Sequence, residues 1–163
     1  MRLRGLTAAL LFFGLVAAGC GWSPPSAPPP QPDTCSPSDG PSDETVRQAI
    51  AGLPPAQGGA TWREIGRGHA ANCRLYWVQV TSGGDSTAPQ QVLFFDRNTP
   101  LGPVTAEPRP YINVLPASDD MAVVQYQWRQ GNDASCCPTG IGTVRFHIGE
   151  DGKLKALGPI PNA

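Results

Sequence analysis

The chemistry-bearing residues of this chain are its cysteines and its two histidines. Cys136 and Cys137 stand side by side in "DASCCPTG", and Cys20, Cys35 and Cys73 complete the set of five. Thiols at such positions serve as metal ligands, as a redox pair or as disulfide staples. Zinc sites space paired ligands as C-x(2–4)-C, and adjacent cysteines on an extended backbone point apart, so no metal is expected. Thioredoxin-like chemistry uses C-x-x-C at a helix N-terminus. Here Pro138 and Gly140 follow and lead into a strand. A bond between Cys136 and Cys137 closes an eight-membered ring, so two separate bridges are the simpler reading.

The first twenty residues fix the compartment. In "MRLRGLTAALLFFGLVAAGC", Arg2 and Arg4 form a basic head, and Leu6 to Val16 is apolar apart from Thr7 and Gly14. Small residues, Ala17-Ala18-Gly19, lead to Cys20. This order is that of a secretory signal. It resembles the bacterial lipobox, with cleavage before Cys20 and acylation of its thiol. Two or three acyl chains anchor stably where one is marginal. The chain is therefore expected at the cell membrane, lipid-anchored on the extracytoplasmic face. Outside the membrane disulfides are permitted, and four cysteines remain once Cys20 is acylated. Cys136 and Cys137 are expected to take one distant partner each, Cys35 and Cys73.

Catalytic patterns are weak. There is no G-x-S-x-G and no H-E-x-x-H. His69 falls in "GRGHAANC", read as a loop, and His147 lies on the outward face of a strand beside Arg145. Asp119-Asp120 reads as a turn. "TGIGTV" lacks the third glycine of a dinucleotide fingerprint. No nucleophile–base constellation emerges, so an enzyme is not expected and no cofactor is implied. Loss of residues 1–19 removes Arg2 and Arg4 and no acid, taking the formal net charge from −1 to −3. Nucleic acid is not an expected partner of such a chain. What remains is binding, to an envelope protein, a glycan or a lipid. The candidate surface is Trp62, Tyr111, Arg145 and His147, with Trp77 and Trp128 read as core. A carrier of an apolar ligand is the alternative, and it requires a cavity of about 300–1,000 Å³.

The elements that position these residues read as follows. Residues 1–19 are the signal, 20–42 a tether and 43–163 one domain. Eight of the nineteen prolines fall in 21–42, which predicts an extended spacer, disordered to about Thr34, with Cys35 fastening its far end to the body. "SDETVRQAIAGLPP" predicts a helix capped by Ser42, with Val46, Ala49, Ile50 and Leu53 on one stripe. Six or seven short strands follow. They include "LYWVQV", "QQVLFFD" ending at a turn "DRNTPLG", "AVVQYQW" and "GTVRFHI", the last with Val144, Phe146 and Ile148 facing in. The expected fold is α+β: one antiparallel sheet of about six or seven strands, the N-terminal helix packed on it, stapled by disulfides.

These segments also carry a resemblance. The lipobox at Cys20, the proline-rich tether, "ETVRQAIAGLP", "NCRLYWVQV", "QQVLFFDRNTPLG", "VVQYQWR" and "CCPTGIGTVRFHIGEDGKLKALG" resemble the LppP/LprE family of actinobacterial lipoproteins over nearly the whole chain. The resemblance implies a lipid-anchored envelope protein with a small α+β domain. It implies no particular activity.

Overall fold

The computed structural model describes residues 32–162, apart from positions 116 and 118. The signal, Cys20 and the tether up to residue 31 lie outside the described residues.

Ser42 caps α1, Asp43–Ala51, by accepting from the Thr45 amide at 3.2 Å, with Asp43 and Glu44 in the positive first turn. Eight strands follow: β1 Arg63–His69, β2 Leu75–Thr81, β3 Gln90–Asp96, β4 Thr99–Pro103, β5 Ile112–Leu115, β6 Ala122–Trp128, β7 Gly140–Ile148 and β8 Leu154–Ala156. They form two four-stranded sheets in the orders β1-β2-β3-β4 and β5-β6-β7-β8. Every pairing is antiparallel. The expectation of one sheet is corrected to two. The extra strand is β4, which occupies the segment read as a turn. The turn itself is only Arg97-Asn98, with Asp96 opposite Thr99. Pro100 and Pro103 concealed the strand, and edge strands such as β4 tolerate proline.

Two apolar clusters explain the layering. Leu75, Trp77, Val92 and Phe94 of the first sheet share a core with Ile112, Ala122, Val124, Tyr126, Val144 and Phe146 of the second. Phe94 and Phe146 stack across it, ring centroids 5.5 Å apart. The alternate residues of the same two strands, Tyr76, Val78, Val80, Leu93 and Phe95, join Val46 of α1, with Ala49, Ile50 and Leu53 packed against them. So β2 and β3 are buried on both faces, which is why "LYWV" and "VLFF" are continuous apolar runs. The second sheet alternates because it is buried on one face only. Val144 and Phe146 are buried and Ile148 packs beside them, while Thr143 and Arg145 are exposed. Gln79, on the inner face of β2, donates to the Ile112 carbonyl at 2.7 Å and so ties the two sheets together.

Two glycines are required by tryptophans on the neighbouring strand. Gly68 faces Trp77 and Gly140 faces Trp128 in the register. A Cβ at either position would run into the facing indole.

Candidate functional site

The densest group of chemistry-bearing side chains lies where the N-terminal arm meets the body. Cys35 is bonded to Cys73, Cα–Cα 5.3 Å, across a sequence separation of 38. Beside the bridge, His69 Nε2 lies 3.1 Å from Asp33 Oδ2, and His69 Nδ1 lies 3.2 Å from the Ala70 carbonyl oxygen. The Cys35 amide donates to Asp33 Oδ1 at 2.9 Å. That bond first, and His69 second, hold the Asp33 carboxyl below its usual range. The cleft around these residues measures about 280 Å³ and is also lined by Arg67, Tyr76 and Trp77. His69 is the last residue of β1 rather than part of a loop, so a strand end fixes its ring.

Local structure holds the arm in place. Ser36 and Asp39 form a reciprocal capping box over the 3-10 turn Pro37–Asp39. Pro41 is buried, and the Ser42 amide donates to Asn98 Oδ1 at 2.8 Å. Asp33, Cys35 and His69 bring three potential metal-donor atoms within 4.8 Å of one another. The Cys35 sulfur is committed to Cys73, which leaves one carboxylate and one imidazole. Both nitrogens of that imidazole already face acceptors.

The second pair of cysteines corrects the expected connectivity. Cys136 is bonded to Cys137, not to Cys35 or Cys73. Distance is the reason. Cys73 lies just before the start of β2 at Leu75. The loop carrying Cys136 meets the opposite end of that strand, where Ser86 Oγ, beyond Thr81, reaches the Ser135 carbonyl at 3.5 Å. A strand of seven residues separates the two ends by about 20 Å. A disulfide needs Cα atoms within about 7 Å.

The four expected surface residues are not brought together. Trp62 packs against the α1 side of the first sheet and donates its indole N–H to the Pro54 carbonyl at 2.9 Å. Tyr111, at φ +60°, donates its hydroxyl to the Ser135 carbonyl. Only Arg145 and His147 share a surface, two residues apart on β7. Arg145 is exposed. His147 is half-buried and lines a second cleft, of about 280 Å³, with Asn72, Arg74, Asp120 and Met121. Arg74 in that cleft is already paired with Asp96 at 2.7 Å, which holds the Asp96 carboxyl below its usual range.

Sequence reading passed over two residues. Asp33 was absorbed into the tether, although an Asp two residues before Cys35 is an Asx-turn signal. Asp133 organises the loop between β6 and β7: its carboxylate accepts from the amides of Gln130 and Thr139 and from the Thr139 hydroxyl, at 2.7–2.8 Å. Those bonds hold its carboxyl below the usual range, the Gln130 amide foremost.

Comparison with known proteins gives a family. The model of the family described as LppP/LprE lipoprotein matches residues 67–151. Proteins named as lipoprotein LppP from Mycobacterium bovis and Mycobacterium tuberculosis are 62% identical over 151 residues, covering 91% of this chain and 86% of theirs. No solved structure matches.

Proposed function

This chain belongs to the LppP/LprE lipoprotein family, and from that premise we propose a protein held at the membrane by acyl chains on Cys20 whose folded body acts by binding rather than by catalysis. The observation that carries the binding reading is the outer face of the second sheet. Val123, Gln125 and Gln127 on β6 stand opposite Arg145, Thr143 and Ile141 on β7. Ile141 is 57% exposed and Arg145 is exposed. The first sheet has its outer face under α1; among the described residues no helix lies over the second. A surface mixing one cation, amides, a hydroxyl and aliphatic side chains suits a protein or glycan partner.

Two further observations support binding over catalysis. Both ring nitrogens of His69 are turned to oxygens of Ala70 and Asp33, and among the described residues its cleft is lined by no serine, threonine or cysteine other than Ser36 and the bridged Cys35. His147 shares its cleft with Asp120 and Arg74, and among the described residues no serine, threonine or cysteine lines it. The carrier reading draws on one observation, a groove of about 640 Å³ lined by Thr105–Pro110, Ile160 and Asn162. That volume suits a ligand, but the groove is open and includes Glu107 and Arg109, whereas the core between the sheets is filled.

Cross-linking in intact envelope, with mass spectrometry of what is captured, tests the reading. Ile141→Glu with Arg145→Glu should abolish capture of the wild-type partner while the thermal transition stays put. Unchanged capture would remove this face from consideration. Cys20→Ala should leave an uncleaved precursor without acyl chains, and normal maturation of that variant would refute the anchor.

A further inference from the structure

The two disulfides sit in opposite physical situations. Cys35–Cys73 is half-buried and joins residues 38 apart. Cys136–Cys137 joins neighbours, and both residues are exposed. A bridge between neighbours closes almost no chain, so it removes almost no entropy from the unfolded state. Nor does it hold its loop. Asp133 does that with three hydrogen bonds, aided by the Arg129 guanidinium on the Asp133 carbonyl and the Cys137 amide on the Ala134 carbonyl. The bond therefore contributes little to folding, yet its sulfurs are open to attack.

We propose that Cys136–Cys137 is a reversible thiol–disulfide exchange site on the body of this lipoprotein, whose co-reactant is an external dithiol. One thiolate of the co-reactant attacks a sulfur of the pair and forms a mixed disulfide. The other cysteine leaves as a thiolate and takes a proton from water. The second thiolate of the co-reactant then attacks its own bridged sulfur, and the first cysteine leaves and is protonated. Two electrons pass: the co-reactant ends as a disulfide, and Cys136 and Cys137 end as thiols. Exposed bridges are the labile ones, and buried bridges across long loops resist.

The switch has a structural readout. The Ser135 carbonyl, one peptide before Cys136, accepts from Tyr111 and from Ser86. Opening the ring frees the 136–137 peptide directly beside that carbonyl, so its contacts with Tyr111 and Ser86 shift while Asp133 keeps the rest of the loop in place. Reduction thus alters one end of the molecule and leaves the Cys35–Cys73 end intact. This inference does not depend on the sheet face proposed above for binding.

The test uses the full chain in detergent, equilibrated with graded dithiothreitol, acid-quenched and alkylated. A second label is applied after complete reduction, and peptides are mapped by mass spectrometry. Cys136 and Cys137 should take the first label together, at a dithiothreitol concentration about tenfold or more below that needed for Cys35 and Cys73. At that point the far-UV spectrum should be native. One equivalent of phenylarsine oxide, a probe for paired thiols, should block alkylation of both, and glutathione disulfide supplied in place of the dithiol should restore the 136–137 bond, ending itself as two glutathione thiols. Joint reduction of the two bridges, earlier opening of Cys35–Cys73, or failure to re-form the vicinal bond would each overturn the proposal.

Discussion

Replacing each cysteine pair with serine separates the two bridges energetically. In the chain-entropy description, a bridge across a separation of 38 stabilises by about 4 kcal/mol at 25 °C, through the states it denies the unfolded chain. The Asp33–His69 contact survives in Cys35→Ser/Cys73→Ser but does not replace the covalent link, so a loss of about 3–4 kcal/mol is expected. In Cys136→Ser/Cys137→Ser the same reasoning leaves less than about 1 kcal/mol. Urea titration reads the difference. With a slope of about 2 kcal/mol/M, the first variant's midpoint should fall by about 1.5–2 M and the second's by less than about 0.5 M. Equal shifts would refute the reasoning, because the two bridges differ above all in the length of chain they close. No shift in the first variant would show that the arm contributes nothing to the folded state.

Two further outcomes follow from the packing and the charges. Phe94→Ala empties a fully buried site stacked on Phe146 between the sheets, and should cost about 3–5 kcal/mol by thermal or urea unfolding. The folded-state pKa of Asp96 is depressed, first by its hydrogen bond to Arg74, so its contribution is complete above the unfolded value of about 3.9 and fades as pH falls through the folded value. Arg74 is 42% exposed and solvent screens the pair, so the effect is small. Asp96→Asn should flatten the acid limb of a stability–pH curve below about pH 4 and change its slope little above pH 6, and a parallel curve would refute the assignment.

Much of this architecture was legible because local rules and tertiary packing agree. α1 carries its cap, its acidic first turn and its apolar stripe within one segment. The alternation in "GTVRFHI" states which face of β7 is buried. The number of sheets was not legible. Strands buried on both faces read as plain apolar runs, and nothing in "VLFF" says that a second sheet lies on one side and a helix on the other. β4 was hidden by its prolines. The disulfide pairing was not legible: an even cysteine count and the divergence of neighbouring side chains favour two distant partners, and only the fold supplies the length of β2 that separates Cys73 from the β6–β7 loop. The His69–Asp33 contact joins residues 36 apart, and only the fold supplies it.

The bridge at the arm also decides where tension would travel. Tension applied to the chain ahead of residue 32, the side on which the anchor is proposed, arrives at Cys35. From there it crosses the sulfur bond to Cys73, at the threshold of β2, a strand flanked by β1 and β3. Residues 36–72, with α1 and β1 among them, lie in a slack branch parallel to that path. Their extended length would be about 130 Å, and none of it lengthens under pull while the bond holds. The molecule is thus moored covalently at the threshold of an interior strand, with α1 and β1 off the covalent path.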